Sequence, residues 1–247
     1  MKIALVTGAS RGIGRATALL LAQQGYAVGV NYVNNETAAQ SVINEIHQSG
    51  GKAIALKADI ADEAQVVAMF KQLSNELGPI TALVNNAGIL FQQTTIENLS
   101  AARINKVLST NVTGYFLCCR EAVKIMSHRH GGKGGAIVNV SSAASRLGAP
   151  GEYVDYAASK GAVDTLTTGL ALEVAAYGIR VNCVRPGLIY TDMHASGGEP
   201  GRVDRVKANL PMQRGGQPEE VAQAIAWLLS DSASYATGSF LDLAGGR

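Results

Sequence analysis

Short runs of β-branched and small apolar residues recur along this chain, and a longer stretch of helical period follows nearly every one. The strand candidates are Ile3–Thr7, Ala27–Asn31, Ala53–Lys57, Ala82–Asn85, Ala136–Ser141, Arg180–Val184 and Phe240–Leu243. Helical spacing is read near Ile13–Gln24, Glu36–Gln48, Glu63–Leu77, Ser100–Ser127, Tyr156–Tyr177 and Glu219–Leu229. Strands joined through helices demand right-handed crossovers and a parallel sheet covered on both faces. The expected fold is α/β: a doubly wound parallel sheet with helices on both faces, residues 1–247 forming a single domain. Asp62 with Gln65 resembles a capping box, and Pro218 ahead of Glu219 and Glu220 reads as a helix start. The glycine cluster Gly131–Gly135 reads as a helix-to-strand connection. Residues His194–Pro211 are expected to be a long loop without strong period, of the kind that serves as a lid or binding segment.

With 47% hydrophobic and 16% charged residues, the chain can bury a sizeable core. A formal net charge of +2, with no basic run interleaved with aromatics, argues against nucleic acid or a membrane surface as partner. The apolar run after Lys2 is too short for a leader segment or a bilayer span. Cys118 and Cys119 are adjacent and Cys183 is remote, so neither a disulfide framework nor a metal-ligand spacing emerges. A reducing compartment, the cytoplasm, is the expectation.

Directly after the first strand stands Thr7-Gly8-Ala9-Ser10-Arg11-Gly12-Ile13-Gly14, opening into a helix. Glycines there permit a tight turn and close approach of a pyrophosphate, which the free N–H groups of the helix N-terminus would hold. An unliganded glycine turn is the bland alternative. The second strand ends Val30-Asn31-Tyr32 without an acidic residue that would accept from a ribose 2′-OH. Arg11 offers a guanidinium for a 2′-phosphate, unless it merely extends into solvent. NADP(H) is therefore expected over NAD(H), with Asn31 facing the phosphate. Asp59, followed by Ile60, closes the third strand and could accept from an adenine amino group, or simply form a turn. Small residues at Asn86-Ala87-Gly88 leave room for a ligand at the end of the fourth strand.

Tyr156 and Lys160 lie one helical turn apart and share a face. Reducing a ketone requires a proton at oxygen as hydride reaches carbon. A phenol of pKa about 10 does this poorly unless a nearby ammonium and an oxidised nicotinamide favour the phenolate. Ser142 can hydrogen-bond the carbonyl oxygen. Asn111 inside a helix competes with the backbone, and with Gly114 it suggests a local distortion able to hold a water. A Tyr–Lys surface pair without function is the competing reading.

Taken together, Thr7–Gly14, Asp59, Asn85–Gly88, Asn111, Ser142, Tyr156-Ala-Ala-Ser-Lys160 and Pro186-Gly187 with Thr191 resemble the short-chain dehydrogenase/reductase family over essentially the whole chain. The resemblance implies a Rossmann-type fold and a small-molecule carbonyl or secondary alcohol as substrate. It implies Tyr156 as general acid/base, Ser142 as stabiliser of the substrate oxygen, and Lys160 as the group that binds nicotinamide ribose and tunes the tyrosine. Asn111 would hold a proton-relay water, and Pro186, Gly187, Ile189 and Thr191 would line the nicotinamide end. It further implies a homotetramer. Within the family the sequence is similar to 3-oxoacyl-carrier-protein reductases and glucose 1-dehydrogenase-like enzymes. Leu172 stands where the former often carry Arg, and Lys124, Arg129 and Lys133 compensate in part. A protein that only senses NADP(H) is the rival of another class, but such a protein needs neither Ser142 nor Asn111.

Overall fold

The structure, a computed structural model, describes residues 1–247. All seven expected strands form, as β1 (Lys2–Val6), β2 (Tyr26–Tyr32), β3 (Lys52–Lys57), β4 (Ala82–Asn85), β5 (Gly135–Val140), β6 (Ile179–Pro186) and β7 (Phe240–Leu243). They pair in parallel in the order β3-β2-β1-β4-β5-β6-β7. The order reverses between β1 and β4, and a crevice outside the carboxyl ends of the strands is where such sheets bind ligands.

Side-chain alternation explains the two cores. Ala4 and Val6 of β1 face one side, with α1 (Gly12–Gln23), α2 (Glu36–Gln48) and a later C-terminal helix. Ile3 and Leu5 face the other, against α3 (Glu63–Glu76) and the helices that follow β4 and β5. Asp62 Oδ1 caps α3 by accepting from Gln65 N at 3.1 Å, but Gln65 Oε1 accepts from Asp59 N, not from Asp62 N, so the box is not reciprocal.

The span expected as one helix over Ser100–Ser127 is three pieces: α4 (Ala101–Leu108), a π-helical turn Ser109–Thr113, and α5 (Gly114–Met126). The π turn interrupts the ordinary ladder at Asn111. Next come α6 (Ala144–Leu147) and α7 (Val154–Val174). The segment expected as an irregular loop carries α8 (Met193–Ser196) and α9 (Arg202–Val206). Neither helix is long enough to be stable alone, and contacts outside the segment hold them. The last helix is α10 (Pro218–Leu229), whose start is capped by Gln217 N donating to Glu220 Oε2 at 2.8 Å. No helix is long and apolar enough to cross a membrane.

Candidate active site

The glycine loop between β1 and α1 is braced from β4. Thr7 Oγ1 accepts from Asn86 N at 2.9 Å and Ala87 N at 3.0 Å, and the Asn86 side-chain amide donates to Thr7 O and Gly8 O. Gly8 has φ +62°, and a Cβ there would lie 2.9 Å from Ala87 Cα. A Cβ on Gly14 would meet Gly8 O at 2.4 Å. These glycines are therefore needed for the loop to close. Gly12 lies under Thr191, whose Cγ2 would be 3.3 Å from a Cβ at that position. Arg11 occupies the N-cap of α1 without a side-chain hydrogen bond to the helix, which leaves the first-turn N–H groups around Gly12 and Ile13 free for an anion. At this cradle, which fits a pyrophosphate, Ser10 is half-buried and Arg11 exposed.

One cofactor expectation is corrected here. Asn31 does not reach a 2′-phosphate. Strand β2 runs on to Tyr32, and Asn31 is only 1% exposed. Its Oδ1 accepts from Gly8 N at 3.1 Å, and its Nδ2 donates to Leu56 O and Ala58 O. Asn31 thus ties the glycine loop to β3. The exposed residues beyond the strand are Val33, Asn34 and Asn35, and Asn35 Oδ1 caps α2 by accepting from Ala38 N. Asp59 forms an Asx turn, its Oδ1 accepting from Ala61 N at 2.9 Å, while Oδ2 faces Lys106 Nζ at 3.6 Å. Ile60 is buried, and its side chain packs so tightly on α5 that a Cβ on Gly114 would strike it at 2.7 Å.

Tyr156 and Lys160 stand on the first two turns of α7, and Ser142 lies just past β5. All three line one cleft of about 330 Å³, together with Ile13, Asn86 and Thr191. Pro186, Gly187 and Ile189 complete its wall near the cradle. Lys160 is 2% exposed and has no carboxylate in hydrogen-bond contact. Its Nζ donates to Val140 O at 2.7 Å and to Tyr115 Oη at 3.3 Å. Burial pulls its pKa down to about 8, against the weaker pull of Cys183 and Asp164. Burial pushes the Tyr156 phenol up to about 12, and only its hydrogen bond with Ser142 works in the other direction. In the free protein burial sets the tyrosine pKa; the expected lowering joined Lys160 to an oxidised nicotinamide and belongs to the loaded site. The ammonium sits 5.7 Å from the Tyr156 ring centroid and makes no hydrogen bond to the phenol. At neutral pH the phenol keeps its proton.

Asn111 is fully buried, and its amide is engaged. Nδ2 donates to Ile89 O at 2.9 Å and Ser159 Oγ at 3.0 Å, and Oδ1 accepts from Ile89 N at 2.9 Å. The side chain clamps the segment after Gly88 to α7 and has no donor left for a water. Gly88 lies beside both groups, and a Cβ there would make only ordinary contacts, 3.5 Å from Asn111 Oδ1 and 3.6 Å from Lys160 Nζ.

Several positioning residues escaped the sequence reading. Tyr115 shares Val140 O with Lys160, donating at 3.1 Å. Arg103 holds the start of α7 by donating to both oxygens of buried Asp155, at 2.8 and 3.3 Å. An Asp in a first helical turn reads only as favourable charge, and nothing in the spacing pairs it with Arg103. Arg202 of α9 donates to Glu152 Oε1 at 2.9 Å and Glu199 at 3.3 Å, and Tyr153 Oη donates to Gly197 O.

The sheet order and its glycine cradle define the class of dinucleotide-binding α/β proteins. Residues 8–247 match the family model described as enoyl-(acyl carrier protein) reductase. The chain is 77% identical over 247 residues to the uncharacterized oxidoreductase YgfF of Escherichia coli, covering 100% of both chains. It is 39% identical over 245 residues to the 3-oxoacyl-[acyl-carrier-protein] reductase FabG of Staphylococcus aureus, covering 99% of this chain and 97% of that one. A short chain dehydrogenase from Burkholderia cenocepacia, solved in complex with NADP, is similar at TM-score 0.90 and 32% identity, over 99% of this chain and 97% of that one. The chain belongs to the short-chain dehydrogenase/reductase family of NAD(P)-dependent oxidoreductases.

Proposed function

We propose that the protein reduces small free carbonyl compounds to alcohols with NADPH, using Tyr156 as the acid. The observation that carries this reading is the convergence of Ser142, Tyr156 and Lys160 on one cleft that opens beside the glycine cradle. Bound in that cradle, reduced nicotinamide supplies the hydride. Ser142 Oγ accepts from Ala144 N at 3.1 Å, and its hydroxyl hydrogen, shared with Tyr156 in the free protein, turns to hold the substrate oxygen. Tyr156, protonated because it is buried, gives its proton to that oxygen as the C=O bond becomes C–O–H. Lys160 is the cation nearest the resulting phenolate and stabilises it. Asn111 acts as a positioning residue through Ile89 and Ser159, and a relay water there would have to use its main-chain carbonyl.

Arg11 supports NADPH over NADH. It is exposed on the loop whose Ala9 N donates to Asn31 O, next to the end of β2, and no carboxylate follows that strand before Glu36. The Burkholderia relative's complex with NADP agrees with this preference. The test is a carbonyl panel assayed with each reduced cofactor. NADPH should give the higher kcat/KM, and Arg11→Ala should reduce that preference by about 10-fold, the loss of one charge-assisted contact of about 1.5 kcal/mol. Equal use of both cofactors, unchanged in the variant, overturns the assignment.

A second reading, 3-oxoacyl-carrier-protein reduction, is favoured by the relatives of that name at about two-fifths identity. Leu172 weighs against it: it is 80% exposed on α7 and offers no charge to an acidic carrier. The proposed setting is cytoplasmic, in keeping with three buried, unpaired cysteines. Exposed Phe116 and Trp227 support the proposal of a homotetramer.

A further inference from the structure

Beyond the Tyr156 phenol the cleft continues between the α6–α7 turn and the lid. Leu90, Leu147, Ala149, Met193 and Leu210 line this distal part. Polar side chains reach it as well, and their hydrogen bonds decide what it can hold. Tyr153 gives its hydroxyl hydrogen to Gly197 O at 3.2 Å. His194 Nε2 lies 2.9 Å from Ile189 O, and burial holds its pKa below the ordinary imidazole value. The ring is therefore neutral at neutral pH, with its one hydrogen on Nε2 and only an acceptor at Nδ1. Arg202 is bidentate to Glu152 and reaches Glu199 as well, with its side chain 13% exposed. Arg205 also engages Glu199, from the exposed side. A carboxylate entering this space could reach Arg202 only by displacing a carboxylate already paired there, so it would give up its own hydration without adding an ion pair. Of the other cations in the lining, Arg247 is solvent-exposed and screened, and Lys160 lies at the reacting end beside Tyr156.

Resting on the reductase reading above, we propose that the non-reacting part of the substrate is uncharged and apolar, an alkyl, cyclic or aryl group. The Glu152–Arg202–Glu199 clasp closes the distal wall and excludes substrates with an anionic tail. In the distal part the Tyr153 hydroxyl, His194 Nε2 and the Arg202 fork are already engaged, and Ser142 and Tyr156 stand where the reacting oxygen would enter.

The experiment uses the full chain saturated with NADPH. Binding of non-reacting alkyl amides of increasing length, and of the same chains ending in a carboxylate, is followed by nicotinamide fluorescence. Reduction of the matching methyl ketones and oxo-carboxylates is followed in parallel. Each added methylene should tighten amide binding about 3-fold until the cleft is full, in line with methylene burial. The terminal carboxylate should weaken binding and lower kcat/KM at least 10-fold. In the Glu152→Gln/Glu199→Gln double variant that gap should shrink by about 10-fold, because Arg202 is released. Equal or tighter binding of the carboxylated amides overturns the proposal, and so does a gap that the double variant leaves unchanged. If the apolar amides bind with the stated preference while no ketone is reduced, the ligand class stands and the reductase reading falls.

Discussion

Lys160 is a charged group placed where the fold gains nothing from it. Its ammonium is buried, and its contacts are a backbone carbonyl and a phenol. A pKa drawn down from 10.5 to about 8 corresponds to a folding cost of about 3 kcal/mol, at about 1.4 kcal/mol per pKa unit. The folded pKa lies below the unfolded one, so the cost is fully present below about pH 8 and fades as pH rises towards 10.5. Replacing the ammonium with an apolar chain should remove it without orphaning Val140 O, which still accepts from Tyr115 Oη. Lys160→Met is therefore expected to stabilise the cofactor-free protein by about 2–3 kcal/mol at neutral pH while abolishing turnover. Denaturant unfolding of both proteins at neutral pH and near pH 10 checks this. A variant less stable than wild type at neutral pH would show that the lysine holds the fold together and does not strain it.

At the scale of elements, strand ends set the geometry around the cradle. Asn31 sits one residue inside the end of β2, so its side chain points inward and links the glycine loop to β3. Asn31→Asp would replace two donated hydrogen bonds with a carboxylate facing Leu56 O and Ala58 O. The expected result is a stability loss of about 3 kcal/mol or more, read by thermal unfolding, with both cofactors weakened together. A selective loss of NADPH binding in a variant that stays stable would restore Asn31 to the 2′-phosphate. The strands themselves were legible because β-branched runs between helical stretches have few other ways to fold. The glycine loop was legible because its spacing answers a steric need, seen at Gly8 and Gly14. Asn31 was misread because side-chain direction reverses at every residue of a strand, and its last residue cannot be fixed from composition. In the segment His194–Pro211, Gly197, Gly198, Pro200 and Gly201 break the helical period and hide α8 and α9. These short helices depend on Arg202, Glu152 and Tyr153, contacts between distant parts of the chain. The π turn at Asn111 was foreseen only as a distortion, since its partner Ile89 belongs to the segment beyond β4.

Across the whole molecule, charge bears on whether an acidic carrier docks. The basic side chains of the α5 region are partly neutralised: Lys124 pairs with Glu121 at 2.8 Å, and Arg120 pairs with both Glu63 and Glu121. Arg129 donates to Tyr177 Oη and lies 5.2 Å from the centroid of that ring. With Leu172 contributing no charge, carrier-linked substrates should be turned over less well than free ketones and with weak salt dependence. Comparing kcat/KM for one acyl chain, carrier-bound and as a free thioester, across ionic strength checks this. A strong carrier preference that collapses with salt would favour the fatty-acid reading. The claim on which the account rests is the proton held by Tyr156, and Tyr156→Phe tests it most directly. The variant keeps the ring that fills the cleft and loses only the hydroxyl. NADPH affinity, measured by fluorescence titration, should change less than about 3-fold, while kcat for ketone reduction falls by at least about 100-fold, the low end for removal of a general acid. A variant that binds NADPH normally and keeps near-wild-type kcat would contradict the mechanism.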